Sequence, residues 1–191
     1  PYTFKGLAES CIHLIESLQG TKDKGITLLG HSMGGMVAQE VIARRPDLIR
    51  RLILSGTSPA FGRKPDGSYA EAWSAKFVSD RQAPLDAGKS MADVANVLVP
   101  QMVGPGALPE GVKLAMRCMG NVPAATYRRA LEALITFDRQ ADQKRIAVPT
   151  LLLAGEFDKS APPSVMKAMA QTIVGSQYAE IPGIGHLTNM E

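Results

Sequence analysis

The sequence Ile26-Thr27-Leu28-Leu29-Gly30-His31-Ser32-Met33-Gly34-Gly35 joins a short apolar run to a G-x-S-x-G pentapeptide, and a helical pattern follows it. A short apolar run bounded by glycine predicts a buried β-strand. A serine between such a strand and a helix lies on a sharp, strained turn, which exposes its hydroxyl at the carboxyl end of the strand. The stretch therefore predicts a strand, a turn at Ser32 and a helix.

The residues beside Ser32 have predicted roles of their own. We expect Gly30 and Gly34 to be required, because a Cβ atom at either position would collide across so tight a turn. The backbone N–H of Met33, at the start of the helix, is expected to point to where an oxyanion would form. Since glycine and serine are common, G-x-S-x-G alone is a weak signal, and an ordinary Gly/Ser turn is the alternative.

Composition limits the classes of protein that the chain can form. Its 191 residues, 45% hydrophobic and 20% charged, suit one globular domain with a core. The net charge of +3 is mild and the basic residues are scattered, so we expect no nucleic-acid partner. No apolar run reaches the roughly 20 residues that cross a bilayer, and no secretory leader is visible. We expect a cytoplasmic protein without a membrane partner.

Cysteine and histidine usage favours neither a disulfide nor a metal site. Cys11 and Cys118 are far apart in sequence and both stand in helix-like contexts, so we expect two reduced, half-buried thiols. Two cysteines and three histidines without ligand spacing argue against structural zinc. We therefore expect no metal and no cofactor.

Helices and strands alternate at both ends of the chain, which is typical of an α/β protein with a mostly parallel sheet and flanking helices. A polar turn is predicted over 21–24, and Ser164 is a candidate N-cap. We predict helices at 4–18, 33–45 and 164–174, and strands at 26–29, 49–54, 147–155 and 177–181.

Between Ala60 and Arg145 the strands stop and only helical patterns remain, near 69–80, 91–102, 110–119 and 124–137. Prolines, among them Pro84 and Pro100, are expected to break them. A helical insertion between two strands is expected to form a cap that lines a pocket; a separate helical domain without a catalytic role is the alternative. We predict a core with the serine turn over 1–59, a helical cap over 60–145 and the rest of the core over 146–191.

Three polar residues follow the ends of predicted strands: Ser32, Asp158 and His186. Ligands of open α/β sheets lie beyond the carboxyl ends of the strands, and Ser, Asp, His is the order in which this serine turn occurs. We predict Ser32 as nucleophile, His186 as its base and Asp158 as the group that orients the imidazole. A helix-capping aspartate and a surface histidine are the alternatives for the last two.

Other acids and histidines suit these roles less well. Glu156 is expected on the opposite side of its loop, and Asp138 precedes a strand instead of following one. His13 lies on the first helix. His31 flanks the nucleophile on the wrong side for a base, so we expect it to shape the pocket floor or to pack against a neighbouring strand.

Substrate-binding residues are harder to select from the sequence. Our candidates are His31, Trp73 and Arg117, with Arg117 as a carboxylate clamp. Further candidates in the helical segment are Met102, Met116 and Tyr127. Each of the residues chosen in the helical segment is equally suited to the core of the cap.

Gly30–Gly35, the strand from Val148 through Gly155, Asp158 and Pro182-Gly183-Ile184-Gly185-His186 resemble the α/β-hydrolase fold superfamily. Phe137-Asp138-Arg139 and Ala161-Pro162-Pro163-Ser164-Val165-Met166 resemble its branch of enol-lactonases, haloperoxidase-like esterases and meta-cleavage hydrolases. The similarity runs over 2–191, with the cap its least diagnostic part. A serine nucleophile is unlike the haloalkane dehalogenases, which use an aspartate there.

The resemblance implies further strands ahead of the serine turn, which here follows the first visible strand. We therefore expect an N- and C-terminally truncated fragment, in which the first strands, the loop that supplies the second oxyanion N–H and the helix after the catalytic histidine are missing.

The expected function is that of a serine hydrolase that cleaves a carboxylic ester or lactone, a small-molecule substrate, through an acyl-enzyme. The alternatives are a carbon–carbon bond hydrolase, a cofactor-free haloperoxidase and a non-catalytic ligand-binding protein of the same fold. The oligomeric state stays open.

Overall fold

The strands form one parallel sheet in the order β1-β2-β3-β4, in a computed structural model that describes residues 2–18, 25–63 and 68–191. The predicted turn at 21–24 lies outside the described residues. All three pairings are parallel, so the carboxyl ends of the strands meet at one edge and the α/β architecture is confirmed. The strands are β1 (Ile26–His31), β2 (Ile49–Ser55), β3 (Thr150–Gly155) and β4 (Gln177–Ile181).

The helices follow the predicted order: those at 4–18 and 91–102 have the predicted ends, and the ends of the others are shifted. Short 3₁₀ turns at Pro46–Leu48 and Gln143–Arg145 lead into β2 and towards β3. The α-helices are α1 (Phe4–Leu18), α2 (Met33–Arg44), α3 (Glu71–Asp86), α4 (Met91–Met102), α5 (Pro109–Gly120), α6 (Ala124–Leu134) and α7 (Pro163–Thr172).

Leucines of the two central strands form the middle of the core. Leu52 and Leu54 of β2 and Leu152 of β3 are almost completely buried. Side chains of α1, α2 and α7, such as Val41 and Met166, complete the same apolar cluster. Burial of a side chain of this size is worth about 1.5–3 kcal/mol, so this cluster holds the strand ends, and the loops that follow them, in place.

Prolines interrupt the helices less than the sequence predicts. Pro84 lies inside α3 and Pro100 inside α4, in each case two residues before the helix ends. Each proline lacks the N–H that would bond the preceding turn, and its ring crowds that turn; each helix then ends within two residues. The N-cap prediction for Ser164 is wrong, because α7 begins at Pro163, where the missing proline N–H costs nothing.

Helices α3 to α6 stand between β2 and β3, and the two ends of this insertion are tied together. The N–H of Phe61 donates to the carbonyl of Phe137 at 2.9 Å, and that of Arg139 donates to Pro59 at 2.8 Å. The chain therefore leaves the sheet and returns to it at one place. The division into 1–59, 60–145 and 146–191 stays a prediction.

An ion-pair cluster fastens the return of the insertion to α2. The guanidinium of Arg139 donates to both carboxylate oxygens of the buried Glu40, at 2.6 and 2.8 Å, and Arg44 donates at 2.7 Å. Burial alone would raise the pKa of Glu40, but the hydrogen bonds from Arg139 and Arg44 outweigh it and hold that pKa below its ordinary value. The Phe137-Asp138-Arg139 run thus contributes an anchor to α2.

Candidate active site

Ser32 occupies the strained turn that the sequence predicts. Its φ is +51°, and it is the single non-glycine residue with positive φ in the described part of the chain. Its N–H donates to the carbonyl of Ser55 at 2.9 Å, and its own carbonyl accepts from the Thr57 hydroxyl at 2.8 Å. Such a conformation costs of the order of 1–3 kcal/mol and persists only where the surroundings impose it, as β2 and the loop after it do here.

The glycines that have no room for a Cβ atom are not the two that the sequence predicts. A Cβ atom on Gly30 would overlap the carbonyl of Gly34 and lie 2.7 Å from the Cα atom of Gly35, so Gly30 is required. The prediction for Gly34 is wrong, because a Cβ atom there would meet nothing within 4 Å. Gly35 is the second constrained position, since its Cβ atom would lie 2.7 Å from that of Thr57.

The three residues at the strand ends form a continuous hydrogen-bonded series. The Oγ atom of Ser32 lies 2.9 Å from Nε2 of His186, and Nδ1 of His186 lies 2.8 Å from Oδ2 of Asp158. Asp158 and His186 are each 3% exposed. The other carboxylate oxygen of Asp158 accepts the N–H groups of Ser160 and Ala161, at 2.7 and 2.9 Å. The carboxylate is therefore held by its own loop and presents one free oxygen to the imidazole.

A glycine after β2 leaves room for this series. Gly56 has φ +48°, and a Cβ atom on it would lie 3.2 Å from Oδ2 of Asp158 and 3.3 Å from Nδ1 of His186. Any side chain at this position would press on the contact between acid and histidine. Gly56 therefore contributes to the site through the space it leaves empty.

The loop that carries His186 is fastened to the helical insertion. The N–H of His186 donates to the carbonyl of Met102 at 2.6 Å. The side chain of Glu191 accepts three backbone N–H groups: from Gly104 at 2.6 Å and from Gly185 and Leu187 at 2.8 Å each. Gly104 belongs to the insertion and the other two flank His186, so one carboxylate joins the two segments.

His31 packs beside the histidine of the series, with 5.0 Å between the ring centroids. Burial, and after it the neighbouring His186, lowers the pKa of His31 to about 4. At neutral pH His31 is therefore uncharged. It is not among the described residues that line the cavity.

A cavity of about 920 Å³ opens over Ser32, Met33 and His186. Its far wall comes from the insertion and includes Trp73, Phe77, Arg81, Tyr127 and Leu131. As the first residue of α2, Met33 carries a backbone N–H without an intrahelical acceptor. The cavity therefore joins an apolar wall to a floor of polar groups that are suited to acyl chemistry.

Aromatic rings form one part of that wall. Trp73 stacks on Phe77, with centroids 5.4 Å apart and 18° between the ring planes, and Phe61 contacts both rings. The structure thus places Trp73 at the cavity, as a substrate-binding residue requires. Arg117 is exposed on α5 and is not among the described lining residues, so its position does not support a carboxylate clamp.

The competing acids lie elsewhere. Glu156 accepts the N–H of Gly183 at 2.9 Å, and Asp138 pairs with Arg63 at 2.7 Å. Cys11 and Cys118 are free thiols, with Cys11 half-buried and Cys118 exposed. Within the described ranges, none of the helices combines the length and apolar character that crossing a bilayer demands.

Sequence reasoning missed several residues that touch the site. Thr57 locks the turn, Arg81 and Lys159 line the cavity, and Glu191 holds the histidine loop. Thr57 had a local signal, because Gly56-Thr57 directly follows a strand at the ligand-binding edge of the sheet. Lys159 had the same signal, because it follows Asp158 in the loop after β3. Arg81 and Glu191 had none, since their roles depend on contacts with segments that are distant in the chain.

Comparison with known proteins agrees with this geometry. The family model for the alpha/beta hydrolase fold matches residues 2–191. The chain therefore belongs to the α/β-hydrolase fold family.

Two curated relatives and one solved structure are similar over most of the chain. It is 26% identical to 3-oxoadipate enol-lactonase 2 of Acinetobacter baylyi, covering all of this chain and 67% of that protein. It is 27% identical to a pimeloyl-[acyl-carrier protein] methyl ester esterase of Nitrosospira multiformis, over 84% of this chain and 61% of the relative. A thermophilic esterase from Thermogutta terrifontis superposes with a TM-score of 0.81 at 27% identity, covering 99% and 67% of the two chains.

The names of the relatives indicate the class of enzyme, and their lengths show how much of each relative this chain matches. All three are named as esterases or lactonases, and the chain is a hydrolase of this family. It spans about two thirds or less of their lengths.

Proposed function

We propose that the protein is a serine hydrolase that cleaves a carboxylic ester or lactone through an acyl-enzyme. The observation that carries this proposal is the unbroken series from the Ser32 hydroxyl through His186 to Asp158, with 2.9 and 2.8 Å between successive polar atoms. The series begins at the floor of the cavity. A serine hydroxyl is a weak nucleophile until an adjacent base takes its proton, and this arrangement provides that base.

In the first half of the reaction, His186 accepts the hydroxyl proton while Oγ of Ser32 attacks the carbonyl carbon. Asp158 stabilises the imidazolium that results and keeps the ring in the required tautomer. The proton then passes from His186 to the leaving alkoxide oxygen, the C–O bond breaks and the acyl group remains on Ser32. In the second half, His186 takes a proton from water as the water oxygen attacks the acyl carbon. His186 then returns that proton to Oγ of Ser32 as the bond between the acyl carbon and Oγ breaks, and the carboxylic acid leaves.

Charge that develops on the substrate oxygen requires a donor near Ser32. The N–H of Met33 begins α2, where the helix dipole favours negative charge. We assign it as an oxyanion donor. Loss of one such donor costs about 10²–10³ in rate in comparable sites.

Two considerations favour carboxylic esters and lactones. The curated relatives named above carry the names of a lactonase and a methyl ester esterase, and the aromatic wall of the cavity suits a small organic acyl group. Carbon–carbon bond hydrolysis and haloperoxidase activity require the same three residues, so a lactone and a dienone substrate are to be assayed side by side.

Ser32→Ala tests the proposal. We expect turnover of p-nitrophenyl acetate to fall by at least about 10⁴-fold and labelling by a fluorophosphonate to disappear, with an unchanged circular dichroism spectrum. Ser164→Ala, at an exposed serine of α7, is the matched control and keeps both. Labelling that persists in Ser32→Ala would refute the assignment of the nucleophile.

A further inference from the structure

The cavity wall carries charges of one sign. Among its described lining residues, the charged side chains other than the histidine of the series are Arg81 and Lys159, and no acid lines it in that part of the chain. Arg81 comes from α3 of the insertion, whereas Lys159 follows Asp158 in the loop after β3. Cations thus approach the cavity from two separate segments, and its interior favours an anionic ligand.

Arg81 lies against an aromatic ring of the wall. Its guanidinium carbon lies 5.4 Å from the centroid of the Phe77 ring. It also lies close enough to Tyr127 to act on it: burial raises the pKa of the Tyr127 hydroxyl, and the charge of Arg81 opposes that rise. Phe77 and Tyr127 both line the cavity, so the guanidinium belongs to the same surface.

Arg81 differs in its pairing from Arg128 of α6, the helix that supplies Tyr127 and Leu131 to the same wall. Arg128 of α6 pairs with Asp86 at 2.6 Å and donates to Gln82. The ion pairs found within 2–18, 25–63 and 68–191 do not include Arg81. A half-buried guanidinium without an acid partner has its donor fork available for a ligand.

We propose that Arg81 is a carboxylate subsite, and that the substrate is an ester or lactone whose acyl part carries a carboxylate away from the reacting carbonyl. This inference rests on the proposed function. Arginine binds a carboxylate through two parallel N–H donors, while the rings of Phe77 and Trp73 contact the apolar carbons between the two ends. Lys159 adds positive potential on the opposite segment.

Two esters with the same acyl chain length isolate the effect: p-nitrophenyl hexanoate, which ends in a methyl group, and mono-p-nitrophenyl adipate, which ends in a carboxylate. The measured quantity is the ratio of kcat/KM for the anionic ester to that for the neutral one. We expect Arg81→Gln to lower this ratio by about 10- to 100-fold, as the loss of a charge-assisted bond does, and Arg81→Lys to restore part of it. Arg117→Gln, at an exposed arginine outside the described cavity wall, leaves the ratio unchanged.

An unchanged ratio in Arg81→Gln overturns the subsite. Failure of the proposed function has a different signature: neither ester is hydrolysed and Ser32 is not labelled. In that case the binding of adipate tests the subsite. Trp73, the only tryptophan of the chain, lies in the same wall, so its fluorescence reports whether adipate is bound. Adipate quenches its fluorescence if the subsite exists, and Arg81→Gln raises the Kd about tenfold or more. Equal Kd values in both proteins overturn the subsite without reference to catalysis.

Discussion

The strand-end loops and the helical insertion face the same cavity but are built in different ways. Around the strand-end loops, atoms lie so close together that a Cβ atom on Gly30 would overlap backbone and one on Gly35 would overlap the Thr57 side chain. In the insertion, side chains such as Trp73 and Arg81 form the wall. The first region fixes polar atoms relative to one another, as bond making requires. In the second region, we expect a substitution to change the shape or charge of the cavity and to leave the distances between Ser32, His186 and Asp158 unchanged, because none of these three residues belongs to the insertion.

Gly30→Ala and Gly34→Ala give the largest contrast within the first region. We expect Gly30→Ala to lower the free energy of unfolding by about 3 kcal/mol, because its Cβ atom overlaps backbone that cannot move aside. Gly34→Ala, one turn away and open to solvent, is expected to stay within about 1 kcal/mol of the wild type. Urea unfolding followed by circular dichroism measures both. A loss of about 3 kcal/mol in both variants would show that the turn tolerates a side chain at neither glycine. Equally small losses would show that Gly30 is not required.

The pH dependence of stability tests the burial of His31. Since its pKa falls from 6.5 to about 4 on folding, the unfolded chain binds the proton more readily. The stability that His31 contributes is therefore complete above pH 6.5 and is lost as the pH falls towards 4. This loss amounts to about 3 kcal/mol at 1.36 kcal/mol per unit.

His31→Gln is expected to flatten the unfolding free energy between pH 7 and pH 4, as measured by urea titrations at each pH. His13→Gln, at an exposed histidine of α1, serves as the control and keeps the slope of the wild type. The same slope in both variants would show that His31 is not the residue that titrates.

Glu191→Gln tests the link between the two regions and has the smallest expected effect. The neutral amide keeps one acceptor oxygen where the carboxylate has two, so at least one of the three backbone N–H groups loses its partner. We expect the free energy of unfolding to fall by about 1–3 kcal/mol and kcat to fall more than KM changes, since the loop of His186 loosens. Glu132→Gln, at an exposed glutamate of α6, is the control. A kcat equal to that of the wild type would mean that the histidine loop does not need this carboxylate.

Local sequence patterns were enough to predict much of the fold and of the candidate site. The turn at Ser32 follows from short-range sterics, and the strand and helix spacing follows from which face of each element is apolar. Asp158 and His186 could be selected because each follows a strand, and parallel strands bring such positions to one edge. The pattern near 91–102 has the ends of α4, but the end of α3 was not predicted from the pattern near 69–80, because the helix continues past Pro84 to Asp86.

The sequence by itself determined the parallel sheet, the strained serine and the three residues of the hydrogen-bonded series, because these depend on backbone geometry and on chain order. The tertiary structure alone decided that Gly35 and not Gly34 is constrained, since the obstacle is Thr57 on another loop. It also decided that Arg81 and not Arg117 faces the cavity, and that Glu191 joins Gly104 to the histidine loop. Each of these outcomes depends on which distant segments pack together, and that information is carried by the whole core and by no single motif.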